Sequence, residues 1–234
     1  MILTIAEYEQ MLQFSAQIAK PACSIRTAIL ENLSVYFGYD EAIFWHVDRS
    51  GHLQDPEAYL LCEQALFDYQ EKYYQYDFLH PQKNFDLYQR KKAIRLADII
   101  DTELYLQSPY YQFMDSYGYF DELVLALTYK GTMIGIIRIP QKIGKRPFSK
   151  KDCLRLQYLS DIITSCLLHQ LRLDHIYPLL SKREAEVAKL VKEGYTNQGI
   201  ADRLFISANT VKKHLQNIYQ KYNVRNRTQL VQLL

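Results

Sequence analysis

Asn209, Lys212, Lys213, Gln216 and Gln220 recur at three- and four-residue intervals, the spacing that gathers side chains on one face of an α-helix. Amides and ammonium groups in that arrangement suit nucleic acid. Lysine reaches phosphate oxygens or guanine acceptors, and Gln216 can pair with adenine. Val211, Leu215, Ile218 and Tyr222 interleave at i, i+4, i+7 and i+11 and give the opposite face an apolar stripe. A helix of this width fits a DNA major groove. Taken alone, an amphipathic helix more often presents a solvated polar face, so the elements around it decide.

Other side chains capable of chemistry are poorly arranged for it. Cys166 and His169 stand three residues apart with His175 beyond them, a weak match to metal-ligand spacing. Asp98, Asp101 and Glu103 read as loop and helix-start charges. No G-x-S-x-G, P-loop or G-x-G-x-x-G occurs. No catalytic residue, metal or cofactor is expected, and the chain reads as a non-enzyme. Cys23, Cys62, Cys153 and Cys166 are scattered without C-x-x-C spacing, as reduced thiols of a cytoplasmic protein would be. No apolar run reaches the ~20 residues of a membrane helix, and the N-terminus lacks a secretory pattern.

The helices that must position the polar ridge are legible on both sides of it. Ser181-Lys182-Arg183-Glu184 is a capping box opening a helix through Val187, Leu190 and Val191, with Gly194 as its stop. Thr196 caps a second short helix carrying Ile200, Ala201 and Leu204. Phe205-Ile206 forms a tight connection, and Ser207 caps the third helix, which runs to about Lys221. A fourth begins near Asn226 and carries Leu230, Val231 and Leu234. Charge is unequally shared: from Ser181 onward ten Lys/Arg face four Asp/Glu, a net +6, which leaves the preceding residues at −4. A basic head on a mildly acidic body suits a polyanion partner.

Residues 180–234 resemble the LuxR/NarL-type DNA-binding domain. The likeness is carried by Leu180-Ser181-Lys182-Arg183-Glu184-Ala185-Glu186-Val187, Gly194-Tyr195-Thr196-Asn197, Ile200-Ala201, Leu204, Ile206-Ser207, Thr210-Val211-Lys212-x-His214 and Val224-Arg225-Asn226-Arg227. It implies that the helix starting near Asn209 enters the major groove of a double-stranded operator, and that the last helix contributes to dimerisation. On that footing Lys212, Lys213 and Gln216 are groove contacts, with Lys212 alternatively on a phosphate. Thr196, Asn197, Ser207, Asn209, Thr210 and Lys221 lie near helix ends or the groove rim, where amides and hydroxyls bind phosphate. Arg225 and Arg227 contact the DNA backbone or cap the last helix, and His214 braces the fold. Gly199 departs from the family pattern and softens the second helix by roughly 0.5–1 kcal/mol relative to alanine. A homodimer reading half-sites about one turn apart is expected.

Ahead of this head, Thr4-x-x-Glu7 caps a helix to about Lys20, and Ser24 to Phe37 forms a second, ended by Gly38. Ala42 to Val47 alternates as a strand, followed by the Asp48-Arg49-Ser50-Gly51 turn and a short strand near Tyr59. Cys62 to Tyr74 reads as a helix, Pro81 as a helix start, Ala93 to Leu96 as a brief strand and Ser108 to Tyr117 as a short helix. Glu122 to Tyr129 and Thr132 to Pro140 form a hairpin across Lys130-Gly131. Ser149-x-x-Asp152 caps a long helix to about Asp174. The fold expected is α+β: an N-terminal antiparallel sheet flanked by helices, plus a C-terminal all-α four-helix helix-turn-helix domain.

Through its closing hairpin and the Phe148-Ser149-Lys150-Lys151-Asp152 helix entry, segment 1–174 resembles a GAF/PAS-type sensory domain. Residues 175–180, with Pro178, read as a linker and 181–234 as the DNA-binding domain. A phosphoacceptor receiver is disfavoured because the acidic pair after a first strand is missing. Tyr69, Tyr73 and Asp77 faintly resemble the pocket of acyl-homoserine-lactone receptors, but their spacing is too short. The GAF/PAS likeness implies a small-molecule pocket, for which Trp45, Tyr73, Tyr76, Tyr105, Tyr110, Tyr111 and Arg138 are candidates. The domain alternatively binds a protein effector, or only dimerises through the helix at 149–174.

Overall fold

The computed structural model describes residues 2–20, 24–48, 50–176, 180–222 and 224–233. Expectations placed on Cys23, Arg49, Pro178 and Leu234 lie outside the described residues. The chain separates into two compact units, Met1–Leu167 and Leu168–Leu234.

In the first unit, Thr4 and Glu7 form the expected reciprocal cap on α1 (Ile5–Ala19), and Ser24 caps α2 (Ile25–Phe37). Gly38 ends α2 with φ 67°, a left-handed position that glycine fills without steric cost. The strands are β1 (Ala42–Val47), β2 (Leu53–Tyr59), β3 (Ala93–Arg95), β4 (Tyr119–Tyr129) and β5 (Thr132–Lys142). They form one antiparallel sheet in the order β2-β1-β5-β4-β3. Lys130 and Gly131 both have positive φ, 48° and 76°, the conformation of a two-residue hairpin turn that matches strand twist. Pro56 lies in β2 at the sheet edge, where its missing N–H is tolerated.

Both faces of this sheet are buried. Phe44, Leu123, Leu125, Leu127, Ile137 and Ile139 face α1, α2 and α7 (Lys150–Ile176). Ile43, Trp45, Val124, Ala126 and Ile136 point the other way, toward α4 (Pro81–Arg90), α5 (Thr102–Leu106) and α6 (Pro109–Ser116). The alternation of strand side chains thus feeds two cores, which makes the central strands continuously apolar. This is the expected α+β arrangement, an antiparallel sheet flanked by helices. Helix α7 continues through Ile176, so residues 175–176, expected to begin the linker, are still helical.

One expected helix is shorter than its sequence suggests. Regular α-helix α3 covers only Glu63–Asp68; a π turn follows at Tyr69–Tyr73 and a 3-10 turn at Tyr74–Tyr76. The widened turn belongs to the segment that brings Tyr69 and Asp77 together. Tyr69 donates to Asp77 Oδ2 at 2.8 Å. π turns of this kind recur at functional sites.

The second unit holds α8 (Lys182–Lys192), α9 (Asn197–Leu204), α10 (Ala208–Tyr222) and α11 (Arg227–Leu233). Its core gathers Val187, Ala188, Leu190, Val191, Ile200, Ala201, Val211, Leu215, Ile218 and Leu230.

Candidate functional site

Three capping side chains set up the helix ends of the second unit. Ser181 and Glu184 cap α8 reciprocally, Thr196 Oγ1 accepts from Gly199 N at 3.1 Å to start α9, and Ser207 Oγ accepts from Thr210 N at 3.0 Å to start α10. Between α9 and α10 the chain turns through Phe205, whose φ is 54°, and Ile206 N donates back to Ala201 O at 3.0 Å. Val211, Leu215 and Ile218 are buried, while Asn209, Lys212, Lys213, Gln216 and Gln220 are exposed. The polar ridge is therefore a solvent-facing surface, backed by packed aliphatic side chains. Among the described residues neither Lys212 nor Lys213 has an ion-pair partner.

Two residues expected on the DNA side are engaged inside the fold. Lys221 Nζ pairs with the buried Glu184 carboxylate at 2.6 Å, joining α10 to α8. Arg227 Nη2 donates to Tyr195 O at 2.5 Å and Val191 O at 3.3 Å, covering one carbonyl in the last turn of α8 and one in the connection to α9. Both placements are tertiary, so periodicity along one helix does not register them. Arg225 is exposed and its backbone N donates to Gln229 Oε1 at 2.8 Å. His214 is half-buried on the flank of α10.

Glu184 also makes the head acid-sensitive. Burial raises its carboxyl, but the Lys221 ammonium and the Ser181 amide and hydroxyl outweigh that and lower the pKa from 4.5 to about 2. A carboxylate with a depressed folded pKa stabilises the fold above its unfolded pKa, and the contribution fades as pH falls toward the folded value. Between pH 4.5 and 2 the head should lose about 1–2 kcal/mol from this pair, allowing for solvent at the half-exposed Lys221. Calorimetry of the full chain against pH checks this, since Glu184→Gln must flatten the head's transition in that window. An identical acid profile in the variant rules it out.

Gly199 lies in α9, and a Cβ there meets Tyr195 Cδ1 at 3.4 Å and Thr196 Oγ1 at 3.5 Å, close to ordinary contact. Gly199→Ala is therefore expected to stabilise the head by about 0.5–1 kcal/mol. A lowered melting temperature would mean that the Tyr195 ring, stacked 4.2 Å from the Arg203 guanidinium, cannot yield.

The first unit holds a second arrangement of chemical interest. Arg138, on central strand β5, is buried with Asp77 and Glu122. Its Nη1 lies 2.5 Å from Asp77 Oδ2, its Nε 2.7 Å from Glu122 Oε1, and its Nη2 2.8 Å from Glu122 Oε2. Nη1 and Nη2 also donate to the hydroxyls of Tyr69 and Tyr110 at 2.7 and 2.8 Å. Those hydroxyls donate on to Asp77 and Glu122, each at 2.8 Å. The guanidinium is thus enclosed by charge-assisted bonds. Burial raises the Asp77 carboxyl, but the Arg138 charge overrides it and holds the group below its ordinary value. Burial depresses His80 to about 4 in spite of Asp77.

A cavity of about 50 Å³ adjoins this cluster, lined by Ile43, Trp45, Leu61, Ala65, Leu66, Tyr69, Tyr110, Phe113, Met114, Tyr119, Glu122, Arg138 and Pro140. Of the expected pocket residues, Trp45, Tyr110 and Arg138 line it; Tyr73, Tyr76, Tyr105 and Tyr111 do not. Tyr73 stacks on Phe113 at 4.9 Å, Tyr76 is exposed, and Tyr105 and Tyr111 meet edge to face at 5.4 Å. The rings of Tyr73, Tyr105 and Tyr111 are spent on packing around α6. Glu122 was legible only as a strand residue. Its diagonal relation to Arg138 across β4 and β5 follows from the register Glu122↔Pro140 and Val124↔Arg138.

Comparison with known proteins bears on the second unit most directly. Residues 178–234 match the family model "Bacterial regulatory proteins, luxR family". The second unit is accordingly a LuxR-type helix-turn-helix domain. The transcriptional regulatory protein DegU of Brevibacillus brevis is 51% identical over 53 residues, 23% of this chain and 22% of its own length. The monoamine regulon transcriptional regulator of Klebsiella aerogenes is 39% identical over 89 residues, 36% of this chain and 38% of its own length. The chain thus spans well under half the length of these relatives. Among solved structures, Escherichia coli SdiA aligns over 97% of this chain and 94% of its own, with 22% identity and a TM-score of 0.48. No described helix is long and apolar enough to cross a membrane.

Proposed function

We infer that this protein is a cytoplasmic transcription regulator that binds double-stranded DNA through α10 and is controlled by a small ligand in its GAF-like unit. The exposed ridge Asn209, Lys212, Lys213, Gln216 and Gln220 on α10 carries this reading. Lys213 and Gln216 read base edges, and Lys212 holds a phosphate or a base. Thr196, Asn197, Ser207, Thr210 and Arg225 supply the groove rim. Lys221 and Arg227 are left out of the contact surface because the fold already employs them. One head offers few phosphate contacts, so two copies act together on a two-fold site.

Selection of bound duplexes from a random pool by the full chain tests this. A pseudo-palindrome with half-sites about 10 bp apart is the expected product. Failure of the folded chain to retain any duplex at low ionic strength would end the proposal.

A second reading of the first unit is that it only pairs copies. Ile5, Tyr8 and Leu12 form an outward apolar stripe on α1, 79%, 44% and 70% exposed, which favours an interface. The two readings part at the cavity: under the second, filling it leaves DNA binding unchanged.

A further inference from the structure

Two buried carboxylates, Asp77 and Glu122, meet one buried guanidinium, Arg138, so the cluster carries one negative charge in excess. Burial without a counter-charge is costly. Two tyrosine hydroxyls soften the imbalance but do not neutralise it. Of the cations outside the cluster, Lys83 is exposed and its ammonium donates to the backbone carbonyls of Gln75 and Asp77 rather than to a carboxylate, and Lys142 is half-exposed and paired with Glu41, which also accepts from Tyr119. Glu122 itself forms part of the cavity wall.

The rest of that wall is Arg138, already bonded to both carboxylates, and apolar side chains, five of them aromatic. Trp45, Tyr69, Phe113 and Tyr110 follow one another with ring centroids 6.0, 6.1 and 5.9 Å apart, and Tyr119 closes the set. Ring faces attract cations, most strongly where water is excluded. Tyr69 already hosts one, since the Arg138 guanidinium carbon lies 5.1 Å from its ring centroid. Aromatic walls with a carboxylate among them, next to uncompensated negative charge, select an occupant that is compact, apolar and positive.

We propose that this cavity takes a small organic cation, an alkylammonium group seated between Glu122 and the rings of Trp45, Tyr69, Tyr110 and Phe113; this rests on the ligand-binding reading of the first unit. An anion is repelled by the excess charge, and a neutral group of the same size leaves that charge unanswered. The cavity of about 50 Å³ limits the seated part to a head of a few heavy atoms.

Three probes of one size separate the classes: n-propylamine, n-propanol and propionate, each titrated into the full chain near pH 7 by calorimetry and thermal shift. At ten times its Kd, n-propylamine should raise the melting temperature by roughly 3–6 °C, with the other two binding at least tenfold more weakly. Glu122→Gln leaves one carboxylate against one guanidinium, so the variant stays folded and loses amine affinity at least tenfold. Ala65→Val adds two methyl groups to the wall without touching a charge and blocks the amine as well. Equal binding of n-propanol, or an undiminished amine response in Glu122→Gln, overturns the cation assignment while the ligand-binding reading stands. The same holds if no probe binds but a metabolite extract stabilises the wild type and not Ala65→Val. If neither probes nor extract shift the chain, both fall. The ranking of the three probes on the wild type needs no variant, so it decides even if Glu122→Gln fails to fold.

Discussion

Replacing Arg138 with methionine is expected to destabilise the first unit by about 3–5 kcal/mol, because it leaves two carboxylates buried without their counter-ion. Asp77 is fully buried and Glu122 nearly so, and each loses two charge-assisted bonds with the guanidinium. Against a usual domain stability of about 5–15 kcal/mol, that is a large fraction. Trp45 is the chain's single tryptophan and is buried in this unit beside the same cluster. Its fluorescence during urea unfolding therefore reports the first unit without interference from the second. Stability of the variant should partly recover as pH is lowered, since protonated carboxyls bury at less cost. A loss below about 1 kcal/mol would mean that solvent reaches the cluster, contrary to its burial. Replacing all three charged residues with apolar ones of similar volume should cost far less than Arg138→Met alone, as the penalty lies in the stranded charges.

Lys213→Ala is expected to weaken operator binding by about 1–3 kcal/mol per head while leaving the fold intact. The side chain is exposed and, among the described residues, unpaired, so stability should change by no more than about 0.5 kcal/mol. With Lys213 as the proposed base contact, the variant should relax preference at one base pair of each half-site. Lys212→Ala supplies the contrast. If Lys212 holds a phosphate, binding weakens evenly across sequences and the salt slope falls by about 0.9 per contact. Titrations over a panel of single-base operator variants at several salt concentrations distinguish the two. Unchanged affinity and unchanged slope for both variants would remove α10 from the interface.

How much was legible in advance differs sharply between the units. In the second, Ser181, Thr196 and Ser207 cap helices where expected, and the stripe Val211, Leu215, Ile218 is buried. Caps and periodic stripes act over three or four residues, so the sequence order displays them directly. The hairpin across Lys130-Gly131 was legible for the same reason. The segment after Cys62 was not. Its apolar spacing suits an α-helix, yet tertiary demands on Tyr69 and Asp77 widen the backbone into a π turn. Four of the seven expected pocket residues miss the cavity, because an aromatic residue suits a core and a pocket wall equally well.

By itself the amino-acid order determined the helix-turn-helix head, its polar ridge and the two-sided sheet, since each is written in local spacing and capping chemistry. Only the tertiary structure decided which charges meet. Arg138 finds Asp77 61 residues away and Glu122 16 away, and Lys221 finds Glu184 at a separation of 37. Such pairings depend on strand register and helix docking, which bring distant side chains together through the packing of everything between them, and no short window of residues encodes that.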